Sequence, residues 1–176
     1  MKAMIPGITI LPSDINRYDN NKFSFTPKFN GMNVVIDEDG VARNKHGEPT
    51  TKRPLPPDVI LQCVEKRACV NGEFDLRTGI FYPFDITKYE GEDLRNAPFH
   101  ERYLNLLKFF REVFDHTHVS REILRWTKTG GEILGSYVLS MYRKEFGDLC
   151  EGAVIKRNNA PYVEGKSKSI IRCRYA

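Results

Sequence analysis

The feature that most constrains the fold is a pair of apolar runs interrupted by a proline, a lysine and a glycine at residues 26–33. Phe23 and Phe25 precede the interruption, and three consecutive β-branched residues follow it at 34–36. Apolar runs around such an interruption are typical of two strands joined by a tight turn. The pattern therefore predicts a hairpin over residues 22–36, with Lys28 presented at an exposed turn.

Lys28 has two interpretations on this stretch alone. A lysine held beside a glycine at a sheet edge can attack a phosphate once its amine has lost its proton. The commoner case is a solvated lysine in a hairpin. Only residues further along the chain can distinguish a nucleophilic lysine from a solvated one.

Length and composition set broad limits. The 176 residues suit one domain, and we expect residues 1–176 to form a single one. A net charge of +4 allows an anionic partner without requiring one. The four cysteines have no CxxC spacing, which argues against a zinc site or a disulfide framework. No apolar run approaches membrane-spanning length, so the sequence predicts a soluble, cytoplasmic, monomeric protein without membrane contact.

The predicted elements are mostly strands, with two longer helices grouped together. After an extended arm and a loop in residues 1–25, further strands are predicted at 41–43, 69–76, 80–86, 149–156 and 170–175. A short helix is predicted from Asp58, as its N-cap, to about Arg67. Longer helices are predicted at about 98–114 and 131–146, around a loop with a short strand near Trp126. This order argues for an α+β fold with antiparallel sheets flanked by helices.

Both longer helices carry an apolar stripe that we expect to face the core. The stripe of the first consists of Leu104, Leu107, Phe110 and Phe114. The stripe of the second consists of Ile133, Leu134, Tyr137, Val138 and Met141.

Several side chains with functional chemistry lie at predicted strand ends, next to glycine or proline. They are Lys28, Glu73, Phe84 and Glu151. The last strand adds Arg172 and Arg174 at alternate positions, so both should point to one face. Each has an ordinary alternative: a solvated carboxylate, a core aromatic or a basic rim. Their combination favours a phosphate site.

The order of these pieces resembles the adenylation domain of the ATP-dependent DNA ligases. Those enzymes belong to the covalent nucleotidyltransferase superfamily, with RNA ligases and mRNA capping enzymes. Lys28 matches the nucleophile of the Lys-x-Asp-Gly motif, Arg43 resembles the arginine of Ser-Arg-x-Gly, and Glu73 matches the glutamate of motif III. Residues 84–102 and 151–167 are also close to DNA-ligase patterns, and RNA ligases and capping enzymes usually lack the Ala-Pro-Tyr-x-x-Gly-Lys-Ser part of the second.

The resemblance covers nearly the whole chain and implies a ligase-type nucleotidyltransferase (ATP-grasp-like) fold. It implies that Lys28 attacks the α-phosphate of ATP and forms a lysyl-AMP intermediate, with Arg172 and Lys156 stabilising phosphoryl charge. Glu73 and Glu151 would bind ribose and Mg²⁺ or Mn²⁺, and Phe84 would stack on adenine. The other expected nucleotide contacts are Thr26, Pro27, Asn30, Gly31 and Arg174. The expected nucleic-acid contacts are Arg43, Lys166 and Lys168.

The chain departs from the family pattern in its charges and its length. Asn30 and Asn33 stand where motif I has Asp and Arg. Motif V, usually Lys-x-Lys, falls on 172–174 with arginine at both ends, unless the register is 166–168 as in RNA ligases. DNA ligases continue past motif V into an OB-fold domain, so we expect a chain without that domain and a separate OB-fold domain or protein as partner.

Three functions remain open from the sequence. The first is a DNA ligase that seals nicked DNA in replication or repair. The second is an RNA ligase with the same chemistry. The third, which the two asparagines and the two arginines allow, is a non-catalytic nucleotide- or nucleic-acid-binding relic of a ligase.

Overall fold

The computed structural model describes residues 1–20, 22–50, 55–110, 125–126 and 135–175, with residues 125–126 described by their backbone alone. The chain divides into two compact units. Unit 1 consists of the described residues within Met1–Ile5, Gly31–Val119 and Pro161–Gly165. Unit 2 consists of those within Pro6–Asn30, Ser120–Ala160 and Lys166–Ala176.

The described residues form strands, α-helices and short 3₁₀ segments. The strands are β1 (Met4–Ile10), β2 (Phe23–Phe29), β3 (Met32–Ile36), β4 (Ala42–Asn44), β5 (Cys69–Phe74), β6 (Phe81–Tyr89), β7 (Glu92–Asp93), β8 (Arg125–Trp126), β9 (Cys150–Arg157) and β10 (Gly165–Arg174). The α-helices are α1 (Pro57–Glu65), α2 (Phe99–Phe109) and α3 (Gly135–Phe146), and the 3₁₀ segments are Pro12–Tyr18 and Gly147–Leu149.

Unit 2 holds most of a five-stranded sheet with the order β1-β10-β9-β2-β8. One face of this sheet is apolar, because Phe25, Ile155 and Ile171 are buried together. Val138 and Tyr142 of α3 belong to the same buried cluster, so the helix covers that face of the sheet.

Unit 1 is built on a second five-stranded sheet, with the order β4-β3-β5-β6-β7. Its central strands are buried, including Val34, Val70 and Phe81. Helix α2 packs on β6 and buries Leu106 and Phe109. Burial of such side chains contributes about 1.5–3 kcal/mol each.

The predicted α+β class with antiparallel sheets is confirmed. Strands β2 and β9, β9 and β10, β3 and β5, and β5 and β6 all pair antiparallel. The described residues include no OB-fold domain. None of the described helices has the length and apolar character needed to cross a membrane.

The predicted hairpin over residues 22–36 is wrong. Lys28 lies inside β2, and the turn falls at Asn30 and Gly31. The strands on either side of that turn do not pair with each other: β2 pairs with β9, and β3 pairs with β5. Strand β2 therefore pairs with a strand far away in the sequence, and β3 lies between β4 and β5.

The helix predictions were correct in position and partly wrong in detail. No side chain caps α1, whose N-cap is Pro56, so Asp58 is not the cap. Leu104 on α2 is 54% exposed, because the buried face there is formed by residues 99, 102, 103, 106 and 109. Tyr137 on α3 is 57% exposed. The predictions for 111–114, 116–124 and 127–134, including Phe114, Ile133 and Leu134, lie outside the described residues, and a short strand does contain Trp126.

Candidate active site

In the sheet of unit 2, the candidate phosphate-binding side chains lie on the face opposite the hydrophobic core. Phe25 of β2 and Cys173 of β10 belong to that core. Because side chains alternate along a strand, Lys28 of β2 points to the opposite face. Arg172 and Arg174 of β10 do the same, two residues apart in one strand as the sequence predicted.

A β-bulge in β9 brings a carboxylate to this face. The pairing of β2 with β9 shifts register after Pro27. Lys28 then stands alone opposite two residues of β9, Glu151 and Gly152. The residues at 150 and 153 both belong to the core although they are three positions apart. A regular strand would send them to opposite faces, so the bulge has shifted the alternation and turned Glu151 toward Lys28.

Glu151 meets two cations with one carboxylate oxygen. Its Oε1 accepts a charged hydrogen bond from Nζ of Lys28 and lies 3.7 Å from Nε of Arg174. The Lys28 side chain is 17% exposed and that of Glu151 is 32% exposed, so this pair is partly shielded from water. The adjacent Cys150 is a poor competing nucleophile, because burial raises the pKa of its thiol.

Gly152 is required by the bulge. Its φ is +147°, and a Cβ atom at this position would lie 1.9 Å from the carbonyl oxygen of Cys173 on β10. Since that obstacle is backbone, Gly152→Ala must separate β9 from β10 or remove the bulge. We expect the substitution to lower the free energy of unfolding by about 4 kcal/mol or more, at the upper end for single substitutions.

Gly147→Ala is the matched control for this prediction. Gly147 also has a positive φ, +55°, but an added Cβ would meet nothing within 4 Å. It should cost only the left-handed backbone conformation, about 1–2 kcal/mol. Urea unfolding of the wild type and both variants measures the difference, and equal losses in the two variants would show that the close contact with β10 does not matter.

The other candidates in unit 2 lie on the same sheet as Lys28. Arg172 donates from Nε to Oγ1 of Thr9 at 2.8 Å. Lys156 is buried, and Lys166 and Lys168 are exposed at alternate positions of β10. Thr26 and Pro27, directly before Lys28, are buried in β2, whereas Asn30 is exposed beyond its end.

In unit 1 the central candidate is Glu73 of β5. Its Oε1 accepts the backbone N–H of Gly31 at 3.1 Å. A Cβ at Gly31 would lie 2.5 Å from the carbonyl oxygen of Phe74, so only glycine allows the backbone to come this close. Gly31 follows Lys28 by three positions. Glu73 therefore holds the backbone at Gly31, three positions after the candidate nucleophile Lys28.

Asn33 is part of a buried amide network in unit 1. Nδ2 of Asn71 donates to Oδ1 of Asn33 and to the carbonyl oxygen of Val34, both at 2.9 Å. The hydroxyl of Tyr162 donates to Oδ1 of Asn71 at 3.2 Å and accepts the backbone N–H of Met4 at 2.9 Å. The side-chain amide of Asn71 therefore has three hydrogen-bond partners, all of them uncharged. Asn33 is one of these partners, so an uncharged residue fits at position 33.

Phe84 is half-buried on β6, between buried neighbours. The next residue, Asp85, is bound by both Nε and Nη2 of Arg102, at 2.8 and 3.1 Å. Arg102 also donates to the carbonyl oxygen of Ala97 at 2.7 Å. Both members of the pair are 1% exposed. This buried two-nitrogen ion pair holds α2 against β6 at Asp85, the residue that follows Phe84.

Arg43 lies on β4, at one edge of the sheet of unit 1. Its guanidinium pairs with the carboxylate of Asp37 and donates to the carbonyl oxygen of Gly47. These contacts hold Arg43 to its own hairpin. A contact with nucleic acid stays a prediction for this residue.

Glu73 and Glu151, the predicted metal ligands, belong to different units. Within the part of the chain that the structure describes, no three His, Cys, Asp or Glu residues converge as a metal site. A Mg²⁺ ion usually takes one or two carboxylates and completes its shell with water and substrate phosphates. Each of these carboxylates, taken singly, supplies hard oxygen donors of the kind that such an ion binds.

Sequence reasoning missed two parts of the site. The contact of Glu151 with Lys28 depends on the bulge, and a glycine inside a predicted strand at 152 was a usable signal for one. The buried Arg102 was missed because a charged residue in an amphipathic helix is normally assigned to the exposed face. No local pattern shows that Asp85 would neutralise it.

A protein-family model described as ATP dependent DNA ligase domain matches residues 20–172 of this chain. No curated protein matches the chain. Similarity to solved structures supports the same fold. A mycobacterial DNA ligase D complexed with ATP and MES has a TM-score of 0.70 and 15% identity, covering 99% of this chain and 60% of that one.

Two further structures are similar. Chlorella virus DNA ligase-adenylate has a TM-score of 0.59 and 14% identity, covering all of this chain and 69% of the other. An archaeal ATP-dependent RNA ligase has a TM-score of 0.52 and 15% identity, covering 97% and 48%. At these identities the likeness concerns the fold. The chain spans about three fifths of the length of the mycobacterial ligase.

Proposed function

Because this chain belongs to the ATP-dependent DNA ligase domain family, we propose that it takes adenylate from ATP onto Lys28 and passes it to a 5′-phosphate in nicked DNA. The observation that carries the proposal is the contact between Lys28 and Glu151 at the bulge of β9. It holds the candidate nucleophile on a sheet face that also carries Arg172, Lys156 and the lysines of β10.

The first step forms a bond between Nζ of Lys28 and the α-phosphorus and breaks the bond from that phosphorus to the bridging oxygen. The ammonium of Lys28 loses one proton before it attacks and a second as the N–P bond forms. Pyrophosphate leaves, and the two protons pass to pyrophosphate or to solvent. Glu151 orients the amine for attack. Arg172 and Lys156 stabilise the negative charge that spreads over the phosphoryl oxygens.

Glu73 is proposed to bind the ribose and Phe84 to stack on adenine. The partial exposure of Phe84 within an otherwise buried stretch of β6 supports this role. Four residues close to Lys28 in the sequence are proposed to contact the nucleotide because they flank the nucleophile: Thr26, Pro27, Asn30 and Gly31. Glu151 and Glu73 are the residues that would hold Mg²⁺ or Mn²⁺, which supplies charge neutralisation to the phosphates when bound.

In the second step the adenylyl group leaves Lys28 for the 5′-phosphate of the nick, and in the third the 3′-hydroxyl attacks that phosphate and releases AMP. Lys166 and Lys168, exposed on β10, and Arg43 are proposed to contact nucleic-acid phosphates, which makes binding salt-dependent. A separate OB-fold domain or protein is the proposed partner for sealing, in DNA replication or repair.

The test uses ATP labelled on either the α- or the γ-phosphate, with Mg²⁺ or Mn²⁺. We expect label from the α-phosphate alone to remain on the denatured protein, and added pyrophosphate to remove it. Nucleotide binding with no retained label under either metal would favour a non-catalytic binding module. If label is retained, sealing assays on nicked DNA and nicked RNA distinguish the two ligase substrates.

A further inference from the structure

We propose that Arg174 is the counter-ion that neutralises Glu151 after Lys28 has been adenylated, and that it acts through this carboxylate and not on the nucleotide. This inference rests on the proposed lysyl-AMP step. It gives Arg174 a role as a positioning residue that differs from the nucleotide contact which the family pattern implies for it.

The geometry comes from the pairing of β10 with β9. Arg174 is the register partner of Gly152, the second residue of the bulge. Its Nε lies 3.7 Å from Oε1 of Glu151, the same oxygen that accepts Nζ of Lys28. Arg172, two residues earlier, donates instead to the hydroxyl of Thr9. The two arginines of the strand therefore have different partners, a carboxylate and a neutral hydroxyl.

The charges around Glu151 change when the adduct forms. Before the reaction, one carboxylate faces an ammonium and a guanidinium. The reaction forms an N–P bond on Lys28 and breaks the P–O bond to pyrophosphate, and the ammonium gives up two protons to pyrophosphate or to solvent. The nitrogen of Lys28 is then uncharged and carries a phosphoryl group with its own negative charge. Glu151 would face that group without the ammonium that had balanced it.

Of the two described side-chain cations beside Glu151, Arg174 is the one that stays charged after the reaction. A guanidinium stays protonated at all working pH values, so the charge persists through the reaction. Its loss should matter little in the free protein, where Lys28 still balances Glu151, and more in the adenylated protein. The effect therefore appears in the equilibrium between the two states. Because the Arg174 side chain is 54% exposed, we expect a shift of about fivefold, the upper range for an exposed ion pair.

The experiment measures that equilibrium by intact mass. Wild type, Arg174→Gln, Arg174→Lys and Arg17→Gln are incubated at fixed Mg²⁺ with ATP and increasing pyrophosphate. We expect Arg174→Gln to be half de-adenylated at about fivefold less pyrophosphate than wild type, and Arg174→Lys to restore most of the difference. Arg17→Gln removes an exposed arginine of the same unit that pairs with Asp14, and it should match wild type.

A second measurement separates this role from direct phosphate binding. In Lys28→Arg, position 28 stays cationic and cannot be adenylated, so Glu151 is always balanced. Adding Arg174→Gln to that variant should leave its affinity for ATP unchanged. A fivefold weaker affinity would show that Arg174 binds the nucleotide, and the inference would be wrong.

The inference also fails if Arg174→Gln has the same pyrophosphate midpoint as wild type. Failure of the proposed function has a different signature, because the wild-type chain would then form no adduct at any pyrophosphate concentration.

Discussion

Replacing Lys28 with arginine is expected to abolish the covalent adenylate completely while leaving ATP binding nearly unchanged. The guanidinium keeps a positive charge against Glu151, which accepts a charged hydrogen bond from position 28. It is not a nucleophile, because its nitrogens remain protonated and delocalised. Lys28→Ala, by contrast, removes the nucleophile and the cation together and should weaken ATP binding as well. Labelled-adduct formation and calorimetric titration with ATP measure the two properties separately.

Lys22→Arg is the control for this substitution. Lys22 precedes the same strand with an exposed side chain, and no role in the reaction is assigned to it. It should form the adduct as the wild type does. Adduct formation by Lys28→Arg would show that a different residue carries the adenylate.

Replacing Arg102 with methionine is expected to lower the free energy of unfolding by about 3–5 kcal/mol. The substitution keeps an unbranched apolar stem and removes the guanidinium that binds Asp85 with two nitrogens. Asp85 is 1% exposed, so its carboxylate would stay buried without its cation. The rings of Phe99 and Tyr162 would also lose a cation–π contact. The guanidinium carbon of Arg102 lies 5.5 Å from the Phe99 ring centroid and 5.6 Å from the Tyr162 ring centroid.

Arg95→Met is the control for this prediction, since Arg95 makes a similar two-nitrogen contact with Asp93 at the surface of the same unit. The hydrogen bonds from Arg95 lower the pKa of Asp93 to about 2, so whatever this pair contributes is present at neutral pH and lost only as the pH falls toward that value. Water screens the pair, and we expect the urea midpoint of Arg95→Met to stay close to wild type. Equal midpoints for Arg95→Met and Arg102→Met would contradict the role given to burial.

The sequence predicted the strands better than their partners. The apolar runs before and after Lys28 are strands β2 and β3, because alternating and β-branched residues favour extended backbone wherever they are placed. The proline, lysine and glycine between them suggested that the two strands form a hairpin, but β2 pairs with β9 and β3 pairs with β5. A two-residue connection is equally able to join strands of different sheets, and only contacts distant in sequence decide between the two.

The faces of the helices were predicted less well, for a reason visible in α2. Periodicity assigned Leu104 to the core, whereas the structure buries Arg102 and leaves Leu104 exposed. An arginine can occupy a core position only when a carboxylate from another element neutralises it. Asp85 does so from β6, and hydrophobic patterning contains no information about that pairing.

The candidate site was predicted as a set of residues and not as a geometry. Alternation along β10 correctly placed Arg172 and Arg174 on one face. The direct contact between Glu151 and Lys28 could not be derived from alternation, which would have put Glu151 on the core side with Ala153. The bulge at Gly152 reverses that assignment, and a bulge exists only where two paired strands have unequal numbers of residues.

The most direct test of this account is the intact mass of the protein after incubation with ATP and Mg²⁺, followed by peptide mapping of the product. We predict a gain of one adenylyl group, located on the peptide that contains Lys28 and reversed by pyrophosphate. An unchanged mass, or an adenylyl group on any other residue, would contradict the assignment of Lys28 as the nucleophile.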